Sequence, residues 1–371
     1  MALSFELLGT CGQARRGRLQ TPHGVIETPA FMPVGTHGAV KGLTVRDLEE
    51  AGASVMLANL YHLTLRPGID VVERLGGLHR FCGWHRPILT DSGGYQVFSL
   101  AALRKIERDG VRFRSHLDGS EVFFSPESVV ESQLRLGVDI AMMLDDCPPF
   151  PIEKKDAAAS LRTTLSWAER ARAAWPADAA GGLFGIVQGS IFQDLRLDAA
   201  ARMRELEFDG YAIGGVSVGE TDILRREVVE WTAPALPDDR PRYLMGLGTP
   251  ADLVHGVRCG VDLFDCVIPA RHARHGHLFT STGVIKIKNA RHRDDPRPLD
   301  AGSSWPLSER YSRAFLHHLF KADPITAAVL GTLHNVRFYL DFMAELRQGV
   351  ESGTLASLAD ELVRRTSGGA P

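Results

Sequence analysis

The sequence predicts an α/β fold of one kind, a closed (β/α)8 TIM barrel with hairpin insertions and a C-terminal helical subdomain, on three observations. Eight short β-rich runs recur along the chain, at residues 30–34, 54–58, 87–90, 139–144, 183–187, 211–213, 242–245 and 261–268. Segments with helical periodicity lie between most of them, at 44–51, 126–136, 155–175, 192–206, 221–231 and 250–259. No dinucleotide-type glycine fingerprint follows the first run, and an open doubly wound sheet has no reason to stop at eight strands, so the alternation favours closure.

Taken in order, residues 4–36 alternate and turn, with Thr21-Pro22-His23-Gly24 reading as a hairpin turn that leads into the first barrel strand. Several helices carry start signals. Ser125-Pro126-Glu127 places proline at the first helical position and acid in the first turn, and Thr249-Pro250 repeats the device. After the third strand, Asp109-Gly110 and Asp118-Gly119 punctuate the alternating Val111, Phe113, Val122 and Phe124, which predicts a hairpin insertion over 101–124. After the eighth, Ser281-Thr282-Gly283 between Leu278-Phe279 and Val284-Ile285 predicts another hairpin, and residues 308–350 read as helical with a break at Pro324. The chain is therefore expected to be a single barrel domain over 1–371, with a hairpin-plus-helix subdomain at 273–350 and a frayed tail at 352–371.

Composition narrows the function. Hydrophobic content of 44% suits a large core, and a formal net charge of −3 means that any polyanion must be met by a local basic patch. Five scattered cysteines without a C-x-x-C pair argue against a disulfide framework or a cysteine-rich metal site, and for a reducing cytoplasmic home. The amino terminus has no basic region followed by an apolar core, and no run of eighteen apolar residues occurs, so no membrane partner is expected.

In a barrel of this type, chemistry gathers at the C-terminal ends of the strands. Those ends carry Asp91-Ser92-Gly93-Gly94-Tyr95 on the third, Asp145-Asp146-Cys147 on the fourth, Gln188 on the fifth, Gly214-Gly215-Val216 on the sixth, Met245-Gly246 on the seventh and Asp265 within the eighth. Carboxylates accept from ring N–H and amino groups, an amide and a backbone N–H donate to a carbonyl, and Tyr95 with Met245 offers two faces for stacking. The set suits a planar, nitrogen-rich ring, with two carboxylates left over as nucleophile and as acid or base. Residues 266–293 contain no Asp or Glu but carry Arg271, Arg274, Lys286, Lys288, Arg291 and Arg293. A basic run of this size is often only a solvated face; beside Asp265 it reads as the missing phosphate-binding patch.

At these residues the chain resembles the queuine/archaeosine tRNA-ribosyltransferase family, in particular its bacterial tRNA-guanine transglycosylases. The likeness runs over residues 7–342 through TDSGGYQVFSL, MMLDDCPPFP, FGIVQGS, AIGGVSVGE, YLMGLGTP, DLFDCVIPARHARHGHLFT, YSRAFLHHL and HNVRFY. The resemblance implies a barrel enzyme that replaces the wobble guanine of a tRNA anticodon with a free 7-deazaguanine base, 7-aminomethyl-7-deazaguanine, in queuosine biosynthesis. It implies Asp265 as nucleophile on the ribose, Asp91 as acid/base, and Tyr95, Asp145, Gln188, Gly215, Val216 and Met245 as base contacts. Arg271 and Arg274 would hold the tRNA, no organic cofactor is needed, and a homodimer built near Tyr311, Phe315 and His318 is implied.

The chain also departs from the family pattern. The family's P-T-R-x-G-R reads Pro269-Ala270-Arg271-His272-Ala273-Arg274, which keeps both arginines, and its Asp-Glu-Cys reads Asp145-Asp146-Cys147. The family's three zinc-binding cysteines fall at Ser303, Trp305 and Ser308, leaving only the counterpart of the fourth ligand, His334, so no metal is expected. Two other readings stay open at this point: a non-catalytic tRNA-binding paralogue subunit, which the retention of Asp91 and Asp265 disfavours, and a relative that inserts deazaguanine into DNA.

Overall fold

The computed structural model describes residues 3–95, 104–303 and 305–367; residues 96–100 of the first motif, 101–103 of the insertion and 368–371 of the tail lie outside the described residues. The chain opens with an antiparallel sheet of β1 (Ser4–Cys11), β2 (Ala14–Thr21) and β3 (Gly24–Thr28), and the pairing of Thr21 with Gly24 puts the expected hairpin turn at Pro22-His23. Then the barrel begins with β4 (Ala30–Pro33), β5 (Met56–Asn59) and β6 (Ile88–Asp91). The insertion after β6 is a three-stranded antiparallel sheet, β7 (Arg104–Glu107), β8 (Gly110–Arg114) and β9 (Glu121–Phe124). The barrel resumes with β10 (Ile140–Met142), β11 (Gly182–Val187), β12 (Gly210–Ile213), β13 (Arg242–Leu244) and β14 (Leu263–Cys266), followed by the hairpin β15 (His277–Thr280) and β16 (Gly283–Lys286).

All eight barrel strands pair in parallel in the order β4-β14-β13-β12-β11-β10-β6-β5, and a parallel bridge from Val34 to Leu57 joins the two ends. The sheet is closed. All six residues of β11 and all three of β10 are buried, as strands covered on both faces require. Each of the eight predicted runs overlaps its strand, four of them falling one residue short of it at one end. The predicted helix starts are present too: Ser125 Oγ accepts the Ser128 N–H and Thr249 Oγ1 the Asp252 N–H, each followed by proline in the first turn.

Two features differ from the sequence reading. Three short helices, Leu60–Leu65, Ile69–Arg74 and Gly77–Cys82, fill the connection from β5 to β6, each only six residues and so too short to show a period. The tail is not frayed over its described part. Leu355–Ser367 is a helix whose Leu355, Ala359 and Leu362 fall at i, i+4 and i+7, and this narrow stripe is buried against the helices Pro250–Arg258 and Pro324–Glu351. Its polar flanks had masked the stripe.

One buried carboxylate ties the N-terminal sheet to the base of the barrel. Asp139, fully buried just before β10, accepts the His23 N–H (2.9 Å) and His23 Nδ1 (3.0 Å) on Oδ1, and the Ile88 N–H (2.9 Å) and His79 Nε2 (3.0 Å) on Oδ2. Burial pushes its pKa up, but the bonds from His79, Ile88 and His23 outweigh this and hold it at about 2. These three side chains could in principle hold a cation. However, the carboxylate can only accept, so both ring nitrogens carry protons, and the rings stack 3.6 Å apart at 16°, which keeps their lone pairs from converging on one ion. The cluster is a structural hub. Asp139→Ala, which strands buried donors, should lower the unfolding free energy in urea by about 3 kcal/mol at neutral pH. Because the folded pKa is depressed, the wild-type advantage should be full above the unfolded pKa of about 4 and fade as pH falls toward the folded value.

Candidate active site

The C-terminal rim of the barrel surrounds a cleft of ≈ 580 Å³, onto which Asp91, Tyr95, Asp145, Gly215, Val216, Met245, Asp265 and Arg271 all open. Asp265 is placed by β14, whose neighbours Leu263 and Phe264 are fully buried and anchor the strand. Its Oδ1 accepts the Tyr243 hydroxyl and the Gly246 N–H, both at 2.7 Å, so one carboxylate oxygen is clamped and the other is left for chemistry. Burial raises its pKa, and those two donors oppose the rise.

Asp91 ends β6 in register with Asn59 at the end of β5. Its Oδ1 accepts the Leu60 N–H at 3.1 Å and its Oδ2 the Asn59 side-chain amide, while Asn59 Oδ1 caps the helix Leu60–Leu65 through the His62 N–H. Burial, with the nearby Asp265 charge adding to it, pushes the Asp91 carboxyl up to about 7. At neutral pH the site therefore holds a partly protonated Asp91 beside a carboxylate steadied by two donors. Two carboxyl groups of one kind differ here by their surroundings alone.

Asp145 and Gln188 form the next layer. Gln188 Nε2 donates to Asp145 Oδ2 at 2.7 Å, and burial, only partly offset by this bond, lifts Asp145 to about 6. Gln188 is itself buried beneath the floor, behind Asp145 and Gly215, and its Oε1 has no partner among the described residues. Two glycines make room for this pair. A Cβ at Gly94 would stand 2.8 Å from Asp145 Oδ1, and one at Gly215, whose φ is +63°, would stand 2.2 Å from Gln188 Oε1. The following loop is held by the buried Glu220, whose carboxylate accepts the N–H groups of Ser217 and Val218.

The arginines occupy the helix Ile268–Arg274 that follows β14. Arg271 opens on the cleft, whereas Arg274 donates back to Ala270 O and faces a neighbouring pocket of ≈ 330 Å³ with His37 and Lys41. Thus the structure brings all the predicted residues to one rim except Gln188, which is a layer below, and Arg274, which is one pocket away. Sequence reasoning missed Asn59, Tyr243, Glu220 and Arg196. The signal for Tyr243 was present, since it lies in the predicted run 242–245 two residues before Met245, the spacing that puts side chains on one face of a strand.

The positions that would hold zinc do not form a zinc site. His334 Nε2 lies 2.6 Å from Phe279 O, and because a carbonyl only accepts, Nε2 carries the proton and Nδ1 accepts the Ser308 hydroxyl at 3.1 Å. Both nitrogens are engaged and burial keeps the ring neutral. Ser303, Ser308 and an indole are poor donors for the remaining positions, and partly buried Trp305 packs against the core instead. The purified protein should contain no stoichiometric zinc by elemental analysis, and its melting temperature should not move in chelator; one tightly held ion per chain would contradict the assignment.

Fold and site together define a class: a parallel-barrel enzyme whose rim gathers carboxylates around one cleft. Within that class the relatives are specific. The family model described as queuine tRNA-ribosyltransferase matches residues 11–368, so the chain belongs to that family. It is 50% identical over 365 residues to the queuine tRNA-ribosyltransferase of Desulforudis audaxviator (strain MP104C), covering 98% of each chain. It is 51% identical over 363 residues to that of Azotobacter vinelandii, again covering 98% of each, and 51% identical over 358 residues to that of Pseudomonas aeruginosa, covering 96% of each.

Proposed function

We propose that this protein is a tRNA-guanine transglycosylase that exchanges the wobble guanine of a tRNA anticodon for 7-aminomethyl-7-deazaguanine in queuosine biosynthesis. The observation that carries the reading is the pair of carboxylates Asp91 and Asp265 on one cleft, the first pushed to about 7 and the second clamped by Tyr243 and Gly246. The unclamped oxygen of Asp265 attacks the ribose anomeric carbon as the bond to guanine N9 breaks. Protonated Asp91 supplies the proton that the leaving base takes up. The incoming base then returns its N9 proton to the Asp91 carboxylate while N9 attacks the same carbon and the ester to Asp265 opens, so two inversions retain the ribose configuration.

Tyr95 and Met245 cover the faces of the base, Asp145, held from the layer below by Gln188, accepts from its ring N–H and amino group, and the Gly215 N–H donates to its carbonyl. Val216 C=O meets the aminomethyl group. Val218, where a glycine would leave room for a larger cyclopentenediol substituent, supports the smaller aminomethyl base over queuine. Arg271 and Arg274 bind the anticodon phosphates, and the anticodon loop supplies an extruded base at low cost. The partly exposed, stacked Tyr311 and Phe315 support a homodimer, and five free cysteines support a reducing cytoplasm. Among the described residues, no helix is long and apolar enough to cross a membrane.

Incubation with radiolabelled guanine and either unfractionated tRNA or DNA tests the reading: label should enter tRNA and not DNA. Asp265→Asn should abolish both this exchange and the denaturant-stable RNA adduct while leaving tRNA affinity within about twofold, since a carboxylate is not a phosphate contact. The pH dependence follows from Asp91. Adduct formation in a single turnover needs its protonated form and should decline as pH rises through about 7, whereas release of the adduct by added base needs its ionised form and should rise over the same interval. A flat profile in both steps would remove Asp91 from the proton transfer.

A further inference from the structure

Behind the floor of the cleft lies a buried cation that the roles above do not use. Arg196, on the helix Gln193–Glu205, is fully buried. Its guanidinium donates to four backbone carbonyls at the ends of two adjacent strands: Ser190 O (2.7 Å), Val187 O (2.9 Å), Gly214 O (2.7 Å) and Gly215 O (3.2 Å). All four are charge-assisted hydrogen bonds to neutral acceptors. Burial pulls its pKa down, but only to about 10, so it remains charged at neutral pH. A helix that needed only to pack on the barrel would put an aliphatic side chain here, because burying a guanidinium without a directly bonded carboxylate is costly.

The carbonyls it holds belong to particular peptide units. Gly214 C=O and Gly215 N–H form one planar trans peptide, so they point in opposite directions. With Gly214 O drawn down onto Arg196 from behind the floor, the Gly215 N–H is turned the other way, toward the cleft that Gly214 and Gly215 line. Gly215 C=O, whose peptide continues into Val216, is held in the same way, while Val187 O is shared between Arg196 and the Gly214 N–H, which ties the two strand ends together. A positive charge on the carbonyl also polarises the peptide and strengthens its N–H as a donor, an effect that low local dielectric preserves. From the opposite side of the loop, Glu220 takes the N–H groups of Ser217 and Val218.

We infer that Arg196 is a positioning residue for base recognition: through the Gly214–Gly215 peptide it aims and polarises the Gly215 N–H at the carbonyl oxygen of the bound base. The inference rests on the base-exchange reading and deepens it. As the glycosidic bond breaks, the leaving base gains negative charge that its carbonyl oxygen shares, so the donor is strengthened where charge develops. Arg196 touches neither substrate nor reacting atoms, and acts only through this peptide.

The test compares guanine with 2-aminopurine, which has the same ring and 2-amino group but lacks the carbonyl oxygen and with it the N1 proton, in wild type, Arg196→Lys and Arg196→Met, the N1 difference being common to all three. Wild-type exchange with labelled guanine is measured first. Its absence would defeat the base-exchange reading itself, whereas exchange indifferent to Arg196 would defeat only the present inference. In Arg196→Met the affinity for guanine should fall by about tenfold, the worth of one good hydrogen bond, while affinity for 2-aminopurine changes by less than about twofold. Arg196→Lys, which restores the charge but not the four-way fork, should fall between. Equal losses for the two bases in the folded variants would show a merely structural role and overturn the proposal. If neither variant folds, the Gly215 amide resonance of the wild type decides: it should move downfield with guanine and stay in place with 2-aminopurine, and no difference between the two would overturn the proposal.

Discussion

Eight strands that run the same way around a closed sheet must all end on one rim, and every polar group of the cleft takes its position from that constraint. The register does the rest. Asn59 stands beside Asp91 because β5 and β6 pair there, and Asp265 stands beside Met32 because β14 pairs with β4. The single bridge from Val34 to Leu57 completes the ring, so Asp91 and Asp265 share one enclosed site rather than opposite edges of an open sheet. At the other rim, Asp139 gathers two histidines and two backbone N–H groups into a hub that holds the N-terminal sheet in place. The barrel thus divides its buried carboxylates by rim, one end for structure and the other for the cleft.

The carboxylates also differ in how burial is answered. Asp139 receives enough donors to stay ionised far below neutrality, whereas Asp91 and Asp145 receive too few and are pushed up to about 7 and about 6. Asp265 is held by a tyrosine hydroxyl and a backbone N–H on one oxygen. No one of these environments is unusual, but together they set carboxyls of one residue type apart in how readily each holds a proton. Since the donors are backbone amides and packed side chains, they need little reorganisation when a ligand arrives.

Much of this was legible in the chain because the signals are local. Strand runs, the proline-marked helix starts at Ser125 and Thr249, and the Asp-Gly and Ser-Thr-Gly hairpins each depend on a few neighbouring residues, and each appears where those residues place it. The six-residue helices between β5 and β6 carry too few turns to show a period, and Leu355, Ala359 and Leu362 form a stripe so narrow that the polar flanks obscure it. Within the site, residues at strand ends were readable because the fold predicts that chemistry gathers there. Asn59, Glu220 and Arg196 were not, since each acts by holding another group and nothing in its immediate sequence names the group it holds.

By itself the sequence determined the alternation that closes a barrel, the order of residues around its rim, and membership in a family through motifs spread over most of its length. It also determined that the zinc positions lack thiolates. Only the tertiary structure decided that His334 has both nitrogens occupied, that Gln188 lies a layer beneath the cleft, that Arg274 turns back on its own helix, and that Arg196 reaches four carbonyls on two strands. The physical reason is common to all four. Periodicity and turn chemistry are properties of adjacent residues, whereas burial, hydrogen-bond partnership and charge environment are set by atoms that come together only when distant segments pack.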